Sequence, residues 1–214
     1  MNRLATALAL PLAAGWGLHT LTLRRRLEAA HRDPLTGLLT RAPFEERAAR
    51  LLLTGPCAVV FVDLDGFKAV NDTYGHATGD SVLKTAAGAL DDAATGQPRA
   101  VLARLGGHEF AAVMPMSDPV PLPWLLRGLH DELTAPAWIE GRELTVGASV
   151  GGCWTGDLPD PSLSAALRRA DEVMYIVKRG GGGWLAAAPG ASSLPAVNGR
   201  RIGRPGTHEG RAET

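Results

Sequence analysis

Apolar residues fall into two rhythms along this chain, and the change from one to the other predicts its elements. Residues 41–53 carry apolar positions at helical spacing. The run CAVVFVDLD that follows, Cys57–Asp65, is short, apolar and β-branched until it ends in carboxylates, the pattern of a strand buried on both faces. Phe67–Tyr74 and residues 81–91 read as helices separated by the polar stretch GHATGD. A strand over 99–104 leads into two glycines, and 109–114 returns beside it. Within 119–134, Leu122, Leu125, Leu126 and Leu129 form the apolar stripe of a helix opened by prolines. The segment APAWIEGRELTVGASVGGCW reads as a hairpin turning at 140–142, and 162–178 as a last helix stopped by a glycine run. Helices alternating with strands predict an α/β (α+β) domain, one sheet covered by helices.

Both ends depart from these rhythms. Residues 4–23 carry no Asp, Glu, Lys or Arg, a run of about 20 residues that is long enough to span a bilayer as a helix. Arg24, Arg25 and Arg26 follow it, and that charge bias places the rest of the chain in the cytoplasm. The expected organisation is a transmembrane anchor over 1–23, a helical linker over 24–31, a folded domain over 32–188 and a disordered tail over 189–214, rich in Gly, Pro, Ser and Arg. A cleaved signal peptide and a membrane-surface helix stay open as other readings of the first segment. Ala5, Ala9, Ala13 and Gly17 recur every fourth residue, a stripe that lets two helices pack closely.

Composition changes this picture little. The 214 residues include 22 basic and 22 acidic side chains, so no global field favours nucleic acid as a partner. Cys57 and Cys153 lie far apart without metal-type spacing and read as buried free thiols.

Candidate chemistry gathers where the first strand ends. Asp63 and Asp65, two apart on an extended strand, share a face and flank the Leu64 carbonyl just before Gly66. Such oxygens suit magnesium, which keeps several waters and shares its site with substrate phosphates. Lys68 offers a cation for phosphate, and Asn71 an amide for a base or sugar edge. A solvated strand end followed by a helix N-terminus that favours Asp would leave the same pattern. In ARLGGHEFAAV, Gly106 and Gly107 form a turn with little side chain in the way. Either a ligand lies against that bare backbone, or the stretch is a plain solvated hairpin.

Five blocks, RDPLTGLLTR, FVDLDGFKAVNDTYGHATGDSVL, ARLGGHEF, GASVGG and ADEVMYIVK, stand in an order and spacing that resembles the GGDEF domain of diguanylate cyclases, over about residues 32–185. The resemblance implies a nucleotidyl-cyclase-like central sheet, mainly antiparallel and flanked by helices. It also implies chemistry in which two GTP molecules become cyclic di-GMP and pyrophosphate. By the same resemblance, Asp63 and the Leu64 carbonyl hold magnesium, with manganese as an alternative, and Lys68 steadies charge developing on the phosphates. Asn71 and Asp80 face the guanine edge, Gly106 and Gly107 pass under the phosphates, and Lys178 reaches the triphosphate from the last helix. His76 has a helix-packing role, and residues 33–41 a structural and coupling one. An active form implies a homodimer, each domain presenting one GTP, at the inner membrane through the N-terminal helix.

The chain departs from the family pattern at three places. His108 stands where the signature has Asp or Glu, a metal ligand thought to help deprotonate the attacking ribose 3′-hydroxyl. Histidine accepts a proton near neutral pH, but imidazole suits transition metals better than magnesium. His108 and Glu109 are thus the catalytic positions of the signature, with His108 also at a metal position. Strand alternation is expected to turn Glu109 to the face opposite His108. Gly182 stands where the family commonly has Arg, and Gln97 and Ala100 replace an RxxD pattern, so the usual product-inhibition site is not expected. The expectation is a membrane-anchored domain that binds GTP and magnesium with weak or absent catalysis. The alternative is a non-catalytic GTP-binding regulatory or protein-interaction module in cyclic di-GMP signalling.

Overall fold

The computed structural model describes residues 31–189, together with Trp16 and four residues in the tail. The anchor and linker read over 1–23 and 24–31 lie outside the described residues, apart from Trp16 and His31. Among the described residues no helix is long and apolar enough to cross a membrane. In the tail, Ala196–Val197 pairs antiparallel with Arg200–Arg201, a short ladder the disordered reading did not include. The rest of 190–214 lies outside the described residues.

Helix α1 (Arg41–Leu52) leads into β1 (Cys57–Asp65), and α2 (Phe67–Tyr74) and α3 (His76–Ala93) follow. Strands β2 (Val101–Gly106) and β3 (Glu109–Pro115) form a hairpin, and α4 (Leu122–Leu133) precedes a small separate ladder of β4 (Ala137–Ile139) and β5 (Arg142–Leu144). Then come β6 (Gly147–Trp154), α5 (Leu163–Arg179) and β7 (Gly183–Ala186). The main sheet has the order β2-β3-β1-β6-β7, antiparallel throughout except for the parallel β6–β7 pair. A mainly antiparallel sheet flanked by helices is therefore what forms.

Strand β1 lies at the centre and is buried on both faces, as its apolar run predicts. Its even-numbered residues, Ala58, Val60, Val62 and Leu64, join Val82, Leu83, Leu90, Leu126 and Leu129 of α3 and α4. Its odd-numbered residues, Cys57, Val59 and Phe61, join Phe44 and Leu51 of α1 and Ala166, Ala170 and Met174 of α5. Two-residue periodicity thus carries Asp63 and Asp65 to the face that α5 covers. Helix α5 lies close against the sheet because Gly151 has no side chain there. A Cβ at that residue would come within 2.2 Å of the Ala170 carbonyl oxygen. The close approach fixes where the end of α5, and with it Lys178, meets the end of β1.

The structure corrects several expected boundaries. Helix α3 starts at His76 and takes in most of GHATGD, because Gly79 faces Asn71 inside the helix instead of breaking it. The long hairpin ends at Leu144, and the stretch beyond it leaves as β6 to pair with β1. Strand β7 escaped prediction, because four residues after a glycine run carry no periodicity to detect.

Candidate functional site

The carboxylates of β1 end in a pocket of compensating charge. Asp63 is 2% exposed, and its Oδ1 lies 2.6 Å from Lys178 Nζ and 3.1 Å from His108 Nε2. Burial alone would raise the Asp63 pKa, but the hydrogen bonds from His108 and Lys178 outweigh it and hold the carboxyl below its ordinary value. Asp65 sits 3.9 Å from Lys178 and accepts the Ser149 hydroxyl at 2.9 and 3.0 Å. There burial dominates, and the Asp65 pKa is raised. An ion buried without partners costs several kcal/mol, and Lys178 and His108 compensate that cost for Asp63.

The Gly106–Gly107 turn stands beside this cluster. Both glycines have positive φ, +149° and +53°, and a Cβ on either would meet nothing within 4 Å. The turn is bare of neighbouring side chains, as two glycines allow. His108 belongs to the turn, not to the strand, so strand alternation does not govern it. Its ring stacks on Phe67, the first residue of α2, with centroids 5.8 Å apart, and its Nε2 faces Asp63. Glu109 lies directly opposite Asp63 in the β1–β3 register, and cross-strand partners share a face. The expectation that Glu109 turns away is therefore corrected: it stands on the Asp63 face of the sheet.

Two contacts pin the turn. The Leu64 amide donates to the His108 carbonyl at 3.2 Å, which brings the backbone of β1 against it. Arg104 donates from Nε to the Gly107 carbonyl at 2.9 Å and from one terminal nitrogen to both oxygens of Asp33 at 3.1 Å. Asp33 also accepts from the Thr36 amide and hydroxyl, at 2.9 and 2.7 Å. Burial tends to raise its pKa, but the Thr36 and Arg104 hydrogen bonds bring it below the ordinary carboxylate value. The entry segment is thereby tied to the glycine turn.

The remaining predicted residues lie along α2 and α3. Lys68 is exposed in the first turn of α2. Asn71 rests its carboxamide on Gly79, where a Cβ would come within 1.9 Å of Asn71 Oδ1, and Asp80 follows on the exposed side of α3. His76 is the first residue of α3 and is exposed, so it does not pack within the core. Arg104 and Ser149 were not singled out by sequence. Arg104 lies inside the quoted ARLGG stretch and carried a signal there, whereas nothing local marks Ser149. A groove of about 640 Å³ between Leu52, Pro56, Leu158 and Leu163 lies at the other end of β1, away from these groups.

The donor set suits a hard divalent cation. An ionised, buried Asp63, a second carboxylate two residues on and the intervening carbonyl are oxygen ligands of the right type. Among the described residues no group of three or more His, Cys, Asp or Glu is arranged to hold a metal. The residues fit a cation that takes its remaining ligands from phosphates and water.

Comparison with known proteins shows the family and supports the fold. The family model described as "Diguanylate cyclase, GGDEF domain" matches residues 30–183. An uncharacterized 19.3 kDa protein from the repSA 5′ region of Streptomyces ambofaciens is 44% identical over 179 residues, covering 83% of this chain and 94% of the relative. The probable diguanylate cyclase DgcE of Escherichia coli is 36% identical over 167 residues, 75% of this chain but 15% of that protein. Further curated relatives from Mycobacterium, Pseudomonas and Caulobacter are also longer, and the chain spans 20 to 39% of them. Among solved structures, the coiled coil and GGDEF domain of DgcB from Caulobacter crescentus, in complex with c-di-GMP, matches with a TM-score of 0.73 and 27% identity, covering 86% of this chain and 99% of that one. The chain belongs to the GGDEF domain family of diguanylate cyclases.

Proposed function

We propose that the end of β1 binds GTP with a divalent cation, in a domain that the N-terminal segment anchors to the cell membrane on its cytoplasmic side. The observation that carries this reading is the Asp63 carboxylate, buried against Lys178 and His108 beside a glycine turn free of side chains. Members of the family are typically magnesium-dependent. Asp63, with the Leu64 carbonyl, would hold the cation, which neutralises phosphate charge when bound. Lys178 stands on Asp63, and its flexible four-carbon stem allows it to turn to the triphosphate. Lys68 faces the phosphates from α2, and the Gly106 and Gly107 backbone lies under them. Asn71 supplies an amide, and Asp80 a carboxylate that accepts from guanine's N–H donors.

Cyclisation of two GTP molecules needs two such domains face to face, because the 3′-hydroxyl of one nucleotide attacks the α-phosphate of the other. A homodimer is therefore part of the active reading. His108 decides how far it goes. Its Nε2 lies against Asp63 where an acidic signature residue would add an anionic oxygen, so one charged oxygen ligand is missing. Catalysis is weak or absent for that reason. The same observation favours a second reading, a GTP-binding regulatory module without turnover.

Incubation of the full chain with GTP, under magnesium and separately manganese, decides between them. The account expects cyclic di-GMP at a low rate or not at all, and at least about tenfold more from His108→Asp, equivalent to about 1.4 kcal/mol of transition-state stabilisation. GTP binding without product in both wild type and His108→Asp supports the regulatory module. A wild type that binds no GTP refutes both readings.

A further inference from the structure

The tip of the β4–β5 hairpin is formed by Glu140 and Gly141, with φ of +48° and +79°. A two-residue turn with both central residues in the left-handed region favours Gly, Asn or Asp. Glu140 is the single non-glycine residue with positive φ among the described residues, so the chemistry of the turn does not explain a glutamate there. Its side chain does. Glu140 Oε2 lies 3.0 Å from the hydroxyl of Thr78, 62 residues earlier in the chain. That hydroxyl is also 3.0 Å from the Tyr74 carbonyl and shares its one proton between the two acceptors. Thr78 itself is 1% exposed. On the other arm, the Arg142 guanidinium stands 5.3 Å over the centre of the Tyr74 ring, a cation–π distance.

The hairpin thus grips the chain on both sides of Gly75, at the last residue of α2 and in the first turn of α3. This corner is the stretch that joins Asn71 to Asp80. Asn71 rests on Gly79, which lies between Thr78 and Asp80. The residue that Glu140 holds is therefore next to the surface on which Asn71 sits and two residues from Asp80.

We propose that Glu140 and Arg142 are positioning residues for base recognition: the hairpin fixes Asn71 and Asp80 relative to each other, so that their polar groups match the edge of guanine. The inference rests on the reading that a guanine nucleotide meets this pair. Neither hairpin residue touches the nucleotide in this account. Each acts through one hydrogen bond or ring contact, so the expected effect is about threefold to tenfold in discrimination, and affinity for the triphosphate changes less.

The test measures the affinity of the full chain, with magnesium, for GTP and for inosine triphosphate, which lacks the exocyclic amine, alongside the melting temperature. The wild type prefers GTP. Glu140→Gly relieves the backbone, so melting stays level or rises while the preference falls about threefold to tenfold. Arg142→Ala lowers it less, and Glu140→Gln, which keeps an oxygen for Thr78, stays within about twofold of wild type. A wild type that binds both nucleotides equally overturns the base-recognition reading and this inference together. A wild type that discriminates, with Glu140→Gly discriminating as well, overturns the inference alone.

Discussion

Two glycine turns flank the carboxylates of β1, and they are built for opposite purposes. At Gly106 and Gly107, a Cβ would meet nothing within 4 Å, so the backbone lies open. At Gly182, whose φ is +99°, a Cβ would come within 3.0 Å of Asp65 Oδ2 and 3.4 Å of the Ala148 carbonyl, so the chain is closed against the strand end. Both turns need glycine for their positive φ, but the space over Gly106 and Gly107 is empty whereas that over Gly182 is taken by Asp65. Glycine content alone cannot separate these cases. What separates them is whether the neighbouring space belongs to protein or to solvent.

Replacing the closed glycine has the largest expected effect. Gly182→Arg introduces the residue that the family resemblance implies there, yet it forces a Cβ onto Asp65 at a φ that side chains rarely adopt. It is expected to cost about 2 kcal/mol of stability in denaturant titration and to bring no gain in GTP affinity. A stable variant that binds GTP more tightly would show that this turn, too, is open.

The open turn is expected to behave differently. Asn tolerates the left-handed region, so Gly107→Asn keeps the melting temperature within about a degree or two of wild type. Its side chain still covers the bare backbone, and GTP affinity falls about tenfold in calorimetry. Unchanged affinity would mean that nothing binds over the turn.

The smallest effect concerns what holds the open turn in place. The Asp33 pKa lies below its unfolded value, so its contribution is full above about pH 4 and is lost as pH falls through the folded value. Between pH 5 and pH 3 the wild type should lose more stability than Asp33→Asn, which has no carboxylate to protonate. Equal losses would show that the Asp33–Arg104 pair does not anchor the turn.

These contrasts also explain what was legible in the sequence. Strand β1 could be read to the residue because it is buried on both faces, and only a continuous apolar run satisfies that environment. Helices α4 and α5 were readable from leucine and alanine spacing. The cluster around Asp63 was partly legible, since two residues of separation on a strand fix a shared face. Its partners were harder to place. Lys178 comes to Asp63 through the close packing of α5 on Gly151, and Ser149 reaches Asp65, 84 residues away in the chain, through the pairing of β6 with β1. Strand alternation counted from His108 gives the wrong face for Glu109, because His108 belongs to the turn that precedes the strand. Glu140 reaches Thr78 through a tertiary contact, for which no local pattern exists.

The most direct measurement is a crystal structure of the chain with magnesium and a non-hydrolysable GTP analogue. The account predicts the cation on Asp63 and the Leu64 carbonyl, the triphosphate over Gly106 and Gly107, and Lys178 moved from Asp63 to a phosphate oxygen. A nucleotide bound elsewhere, with the Lys178–Asp63 pair still closed at 2.6 Å, would contradict it.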